Sequence, residues 1–282
     1  ALTVALSIAT RRMSKRNVIV RRLAAVESLG SCTVIASDKT GTLTVNQQTA
    51  KLIKLPDGKV FEVSGEGYNG EGEVRKPNSK HISDRSWNRL WKLSKMAMLA
   101  NEGVLVKKPD SGWEYSGDAM DVAFLALGYK MGLDVPEITG SLRPLLAIPY
   151  ESDNGYAALF YEREGERRVA AKGALEVILG FCDSMMMEAG PEPIDPERIA
   201  QLANEMAARG LRVLAVAGNP LPKTLSDDQL GTQALKRLTL QGLVGFIDPL
   251  RAEAADAVHT CKKAGIDVLM ITGDHPETAA AI

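Results

Sequence analysis

The chain has 282 residues, room for one large or two ordinary domains, with 45% hydrophobic and 24% charged residues, a globular balance. A formal net charge of −1 argues against a nucleic-acid partner, and no stretch is long and apolar enough to span a bilayer. Three cysteines (Cys32, Cys182, Cys261) and three histidines (His81, His259, His275) lie too far apart for metal-ligand or redox-motif spacing. Free thiols and no protein-ligated zinc are therefore expected.

In chain order, the mostly apolar Ala1 to Thr10 gives way to Arg11, Arg12, Lys15, Arg16, Arg21 and Arg22. A basic cluster after an apolar run reads as a cytoplasmic membrane exit or as an amphipathic helix with a basic face. Cys32 to Ser37 reads as a buried strand of a parallel sheet, and it delivers the run Asp38-Lys39-Thr40-Gly41-Thr42-Leu43-Thr44. The carboxyl end of such a strand is where open α/β sheets place ligands. Gly41 permits a tight loop, and the threonine hydroxyls and loop N–H groups suit a phosphoryl group. A carboxylate held there can attack a γ-phosphate and become an aspartyl-phosphate.

From about Val45 to Thr239 the character changes to antiparallel strands with helices on one side, an α+β insert. Lys59 to Val63 and the glycine-rich Gly65 to Gly72 read as a strand and hairpin. Helices are expected from Trp87 to about Asn101 and from Gly117-Asp118 to Met131. Strands follow at Leu145 to Tyr150, Tyr156 to Tyr161 and Arg167 to Ala171. Helices Ala174 to Phe181 and Pro196 to Arg209 then lead to a strand Leu211 to Ala217, and Met185 to Met187 reads as gap-filling or loop. Gly65-Glu66-Gly67-Tyr68-Asn69-Gly70 fits G-x-G-x-x-G, but Val74 and Pro77 follow where a dinucleotide site needs a helix, so a hairpin loop is expected.

Beyond the insert, Leu240 to Ile247 reads as a strand, Asp248-Pro249 as the N-cap and first turn of a helix, and Gly265 as its end. Ile266 to Ile271 then runs into Thr272-Gly273-Asp274, so strand–helix–strand argues a parallel βαβ unit beside the Asp38 strand.

The Asp38 run resembles, letter for letter, the phosphorylation signature of P-type cation-transporting ATPases. The resemblance extends in order along the chain, through Asp118-Ala119-Met120-Asp121, Ile148-Pro149-Tyr150-Glu151, Lys172-Gly173-Ala174, Gly210-Leu211-Arg212, Asp248-Pro249-Leu250-Arg251 and Thr272-Gly273-Asp274. It implies a Rossmann-like, HAD-type α/β phosphorylation domain, incomplete here, interrupted by an α+β nucleotide-binding domain. Residues 1–30 would be the end of the fourth transmembrane helix and its stalk. Residues 31–45 and 240–282 would form the phosphorylation domain, and 46–239 the nucleotide domain. It further implies a cytoplasmic piece of a multi-pass membrane protein, with ATP and Mg²⁺ as cofactors and a transported cation whose ligands lie in membrane helices outside this sequence.

The resemblance assigns roles residue by residue. Asp38 is the phosphorylated nucleophile, and Asp38 with the Thr40 carbonyl holds Mg²⁺. Lys39, Thr40, Thr272 and Gly273 lie against the phosphate, and Asp274 lines the nucleotide and Mg²⁺ side. Tyr150 stacks on adenine in place of the more usual Phe. Asp121, a shorter stand-in for Glu, bonds the adenine amino group, and Lys172 and Gly173 line the ATP pocket. Arg212 bridges nucleotide to the phosphorylation domain, Asp248 forms the hinge, and Arg251 approaches the nucleotide phosphates. From the residues alone, Lys172 also reads as a solvated lysine at a strand end. Likewise Asp121 reads as a first-turn carboxylate on the helix dipole, Tyr150 as a core aromatic and Asp248 as an N-cap. Thr40 lacks the base that a phosphatase of this fold carries two residues after its nucleophile, which favours a lasting phosphoenzyme. Two alternatives are a soluble HAD-type phosphatase and a non-catalytic nucleotide-binding module. The chain by itself is expected to bind ATP and turn it over poorly.

Overall fold

The structure is a computed structural model, and it describes residues 2–22, 24–79, 81–110, 112–140, 142–222 and 224–272. The fold is mixed α/β, and the chain divides into two compact units. The first takes the described residues up to Val45 and those from Leu250 onward, and the second runs from Asn46 to Pro249.

The chain begins with helices α1 (Leu2–Ser14) and α2 (Ala24–Gly30) and enters strand β1 (Val34–Asp38). After the second unit it returns through α8 (Ala254–Lys263) to β14 (Asp267–Ile271); β2 to β13 and α3 to α7 lie between. Strands β1 and β14 pair in parallel, with Val34 opposite Asp267 and Asp38 opposite Ile271. Gly265 ends α8 at φ +72°, and the Ile266 N–H donates to the Cys261 carbonyl at 3.0 Å, a left-handed close that turns the chain into β14. Val34, Ala36, Leu269 and Ile271 share one exposed face of this two-stranded sheet. Parallel strands are ordinarily covered on both faces, so this face is apolar surface of a kind that normally acquires a partner.

In the second unit, β2 (Thr49–Lys54), β3 (Val60–Val63) and β4 (Val74–Arg75) precede α3 (Asp84–Leu99). The hairpin β5 (Val104–Lys108) and β6 (Gly112–Ser116) leads to α4 (Ala119–Lys130) and α5 (Val135–Gly140). Strands β7 (Arg143–Ile148), β8 (Tyr156–Arg163) and β9 (Glu166–Gly173) follow, then α6 (Leu175–Phe181) and the short strands β10 (Cys182–Met186) and β11 (Pro191–Pro193). Helix α7 (Pro196–Ala207) and strands β12 (Arg212–Pro220) and β13 (Leu238–Ile247) complete the unit. The main path of its ten-stranded sheet is β4-β3-β2-β13-β12-β9-β8-β7, antiparallel throughout, with β10 added in parallel to β13.

Neighbouring strand residues feed opposite cores. Leu52, Ala171, Ala215 and Leu243 pack with Ile178 of α6 and Ile199 and Met206 of α7. Ile53, Ala170, Val216 and Val244 pack with Leu90 and Leu93 of α3 and Phe124 of α4. Helices therefore cover both faces, not the one face expected from the alternation of elements. The inner strands explain the difference, because Leu238 to Phe246 is buried on both sides. Asp118 caps α4 by accepting from the Met120 N–H at 2.8 Å, and Ser83 and Asp195 cap α3 and α7 in the same manner. The G-x-G-x-x-G run is a hairpin loop between β3 and β4, tied by a Ser64 N–H to Glu73 carbonyl bond of 3.0 Å.

Three further expectations are corrected. Strand β13 lies at the centre of the second unit's antiparallel sheet, and the parallel partner of β14 is β1, so Leu240 to Ile247 does not open a βαβ unit with them. Asp248 caps no helix, since α8 starts at Ala254 behind Glu253. The cause is backbone pairing: Leu250 bridges Thr44 and the Arg251 N–H donates to the Leu43 carbonyl at 2.9 Å, which holds this stretch extended. Met185 and Met186 belong to strand β10, paired with both β11 and β13, so they are not loop, while Met185, buried in the core, keeps the gap-filling role.

Candidate active site

In the first unit the site is a strand end and a turn. Asp38 is the last residue of β1 and is exposed; Thr272 follows Ile271, its register partner, at the same carboxyl rim. Gly273 and Asp274 lie outside the described residues. Lys39 to Leu43 form a wide turn closed by the Thr44 N–H, which donates to the Lys39 carbonyl at 3.0 Å. Inside it Thr40 (φ −74°, ψ 121°) and Gly41 (φ +77°, ψ −11°) have the angles of a type II β-turn. Such a turn needs φ > 0 at its third residue, which accounts for the glycine.

Thr44 has no exposed surface and staples the turn from below. Its hydroxyl donates to the Lys39 carbonyl at 3.0 Å and accepts from the Gly41 N–H at 3.2 Å. Arg251 braces the same turn from the returning chain, its Nη2 donating to the Gly41 carbonyl at 2.8 Å. Lys39 is buried and Thr40 exposed.

In the second unit the candidates gather at one end of the ten-stranded sheet. Gly173 closes β9 opposite Tyr156 and Ala215, Arg212 opens β12 opposite Phe246, and Asp248 follows the last residue of β13. Tyr150 follows β7 at this end, 42% exposed. Arg212 is also exposed. Asp248 is buried, and its Oδ1 accepts from the Gln47 N–H at 3.1 Å, joining the two strands that enter and leave this unit.

Lys172 is not the solvated strand-end lysine of side-chain statistics. It is 4% exposed; its Nζ donates to Asp121 Oδ1 at 2.6 Å and lies 4.8 Å from the centre of the Phe124 ring. Phe124 in turn meets Phe246 edge-on at 4.8 Å. Asp121 is equally buried, and its second oxygen accepts from the Glu102 N–H at 3.1 Å. Burial pushes the Lys172 ammonium below its usual range, against the opposing pull of Asp121's charge and hydrogen bond. A Cβ on Gly173 would fall 2.4 Å from the Gly155 carbonyl and 2.7 Å from Tyr156 Cα. The glycine therefore answers to the neighbouring strand's backbone; a ligand is not needed to explain it.

The sequence profile described as "P-type ATPase, cytoplasmic domain N" matches residues 89–253. That is more than half of the chain. The chain belongs to the P-type cation-transporting ATPase family. It is 40% identical to "Cation-transporting ATPase pma1" of Synechocystis sp., an alignment covering 100% of this chain and 31% of that protein. It is 37% identical to human "Calcium-transporting ATPase type 2C member 2", covering 99% and 28% respectively. To the "Calcium-transporting ATPase" of Bacillus subtilis it is 34% identical, covering 100% and 32%. The chain thus spans less than a third of the length of these family members.

Sequence reasoning missed four contributors to these sites: the clamp from Arg251 to Gly41, the Thr44 staple, the Phe124 face under Lys172 and the bond from Gln47 to Asp248. Phe124 was within reach, since it sits three residues after Asp121 on the same helix face. The other three depend on contacts within a tight turn or across 201 or more residues, which no local pattern encodes.

Proposed function

We propose that this chain carries the phosphorylation and nucleotide-binding parts of an ATP-driven cation transporter of the membrane. In this reading the first unit is a Rossmann-like, HAD-type phosphorylation domain with its stalk, and the second is the nucleotide domain. One observation carries it: the carboxylate of Asp38 and the hydroxyl-bearing Thr272 end adjacent parallel strands at one rim, beside a braced threonine–glycine turn.

An Asp38 carboxylate oxygen attacks the γ-phosphorus of ATP. The new O–P bond forms as the bond to the β,γ-bridging oxygen breaks, and ADP leaves with that electron pair. The Lys39 ammonium and the hydroxyls of Thr40, Thr42 and Thr272 are matched to the charge on the transferring phosphoryl group. The donors for a metal are all oxygen, the Asp38 carboxylate and the Thr40 carbonyl. No group of three or more His, Cys, Asp or Glu gathers among the described residues. That set suits Mg²⁺, which takes one or two carboxylates and completes its shell with water and substrate phosphate. When bound it would neutralise charge on the phosphates. Gly273 and Asp274 extend the Thr272 rim in sequence and belong to the same proposal.

In the nucleotide domain, Tyr150 offers an exposed ring face to adenine and Arg212 an exposed cation to the phosphates. Lys172 and Asp121 hold each other, so adenine recognition by either requires their bond to be exchanged for one to the nucleotide.

The test uses the full-length protein and γ-labelled ATP with Mg²⁺. Acid-stable, hydroxylamine-sensitive label is expected on the protein and should vanish in Asp38→Asn. Undiminished labelling of Asp38→Asn would overturn the assignment.

A further inference from the structure

A cavity of about 300 Å³ lies in the second unit, toward the end of the ten-stranded sheet opposite Gly173 and Arg212. Its apolar walls are Trp91 and Met96 of α3, Tyr161 of β8 and Met186 of β10. Its charged groups are all cations: Lys92, Lys95 and Arg168. The Lys95 ammonium sits 4.9 Å from the centre of the Trp91 ring.

The charges around this cavity do not balance. Arg168 is answered by Glu166 at 2.5 Å, and the nearby Arg163 by Glu164 at 3.5 Å. Among the described residues, no carboxylate lies within ion-pair distance of Lys92 or Lys95. Burial pulls Lys95 below its ordinary range, and Arg163 and Arg168 push the same way against a weaker pull from Glu164. The Tyr161 hydroxyl, on a side chain that is 4% exposed, makes no hydrogen bond with another described residue. An unanswered ammonium held against a tryptophan face, beside an unused hydroxyl in an apolar hollow, is complementary to a flat ring bearing a negative charge.

We propose that this cavity is a binding site for a small aromatic anion, with Trp91 and Tyr161 enclosing the ring and Lys95 and Arg168 meeting the carboxylate or an equivalent group. The site is separate from the nucleotide end of the sheet. Its volume admits a ligand of one or two rings, at the lower limit of ordinary small-molecule pockets.

The test is calorimetric titration of the purified chain with 2-naphthoate and with its uncharged counterpart 2-naphthamide. Expected results are saturable binding of one naphthoate, at least tenfold weaker binding of the amide, and no displacement of naphthoate by excess ATP. Lys95→Met should weaken naphthoate at least tenfold and leave the amide unchanged. Tyr161→Phe, which keeps the packing and removes only the hydroxyl, should weaken naphthoate by a smaller factor, with both variants checked for unchanged thermal midpoints. Equal affinity for acid and amide, no saturable binding of the acid, displacement by ATP, or an unaffected Lys95→Met would each overturn the proposal.

Discussion

The buried pair of Lys172 and Asp121 makes a sharp energetic prediction. Asp121→Asn keeps the side chain's size and its acceptor for the Glu102 N–H but leaves the Lys172 cation without its counter-charge. Both side chains are nearly sealed, at 5% and 7% exposed, so water cannot replace the lost carboxylate. Stranding one member of such a pair costs about 3–5 kcal/mol, some hundreds- to thousands-fold in the folding equilibrium by the usual conversion of ~1.4 kcal/mol per decade. Replacing both members, Asp121→Asn with Lys172→Met, removes the unpaired charge and keeps a long apolar stem against Phe124. The double variant should recover to within about 1 kcal/mol of the parent, because a buried ion pair and its apolar replacement are often nearly equal in stability.

The assay is urea unfolding followed by tryptophan fluorescence. All three tryptophans, Trp87, Trp91 and Trp113, lie in the second unit, so the signal reports on that unit alone. The pH dependence has a fixed sign. A lysine whose folded pKa is depressed binds fewer protons folded than unfolded in the window from that pKa up to its unfolded value of 10.5. Stability therefore rises with pH across that window. Removing Asp121 takes away the largest influences that raise the Lys172 pKa, so the window widens downward. The deficit of Asp121→Asn should shrink as pH is raised from 7 toward 10. A loss under about 1 kcal/mol at pH 7, additive single and double variants, or a deficit that grows with pH would refute the argument.

Lys130 gives a second pH test: burial lowers its pKa to about 8, Lys51 adds to the shift and Glu66 opposes it, so the native protein should gain up to about 3 kcal/mol between pH 8 and 10.5. The same unfolding curves for Lys130→Met should lose most of that slope, and an unchanged slope would contradict the assignment. Gly41→Ala forces a Cβ onto a residue at φ +77° and should cost about 1–2 kcal/mol of local stability, read as faster hydrogen exchange at the Thr42 and Thr44 amides. Thr44→Val leaves the Gly41 N–H without its acceptor and should speed exchange of the Gly41 amide by about tenfold or more. In the full-length protein, Arg251→Met should slow phosphorylation by labelled ATP several-fold while ADP binding to the chain stays within twofold. A matching loss of ADP affinity would instead assign Arg251 to the nucleotide.

Elements whose signals are local were readable in advance. Asp118 announced α4 because a cap is a one-residue device, and Gly265 marked the end of α8 because few other residues take φ +72°. The placement of Asp38 and Thr272 at one rim was readable because each follows an apolar run that forms a parallel strand. Strand β13 was recognised and assigned to the wrong sheet. Its run of apolar residues is what any strand buried on two faces shows, whether its neighbours are parallel or antiparallel. Asp248-Pro249 failed for a related reason. The dipeptide starts helices when the next residues are free to coil, and here the backbone bonds of Leu250 and Arg251 to Thr44 and Leu43 hold them extended.

Those same bonds explain how a chain leaves one unit for more than 200 residues and returns to the same loop. The outgoing segment at Leu43 and Thr44 and the incoming one at Leu250 and Arg251 form a small antiparallel clasp, and Arg251 extends it to the Gly41 carbonyl. On the other side of the crossing, Gln47 and Asp248 make the matching bond within the second unit. Each unit thus closes its own open ends, so its local geometry does not depend on the other unit for these hydrogen bonds. The turn beside Asp38 is held by bonds from Thr44 and Arg251, all within the unit that bears it.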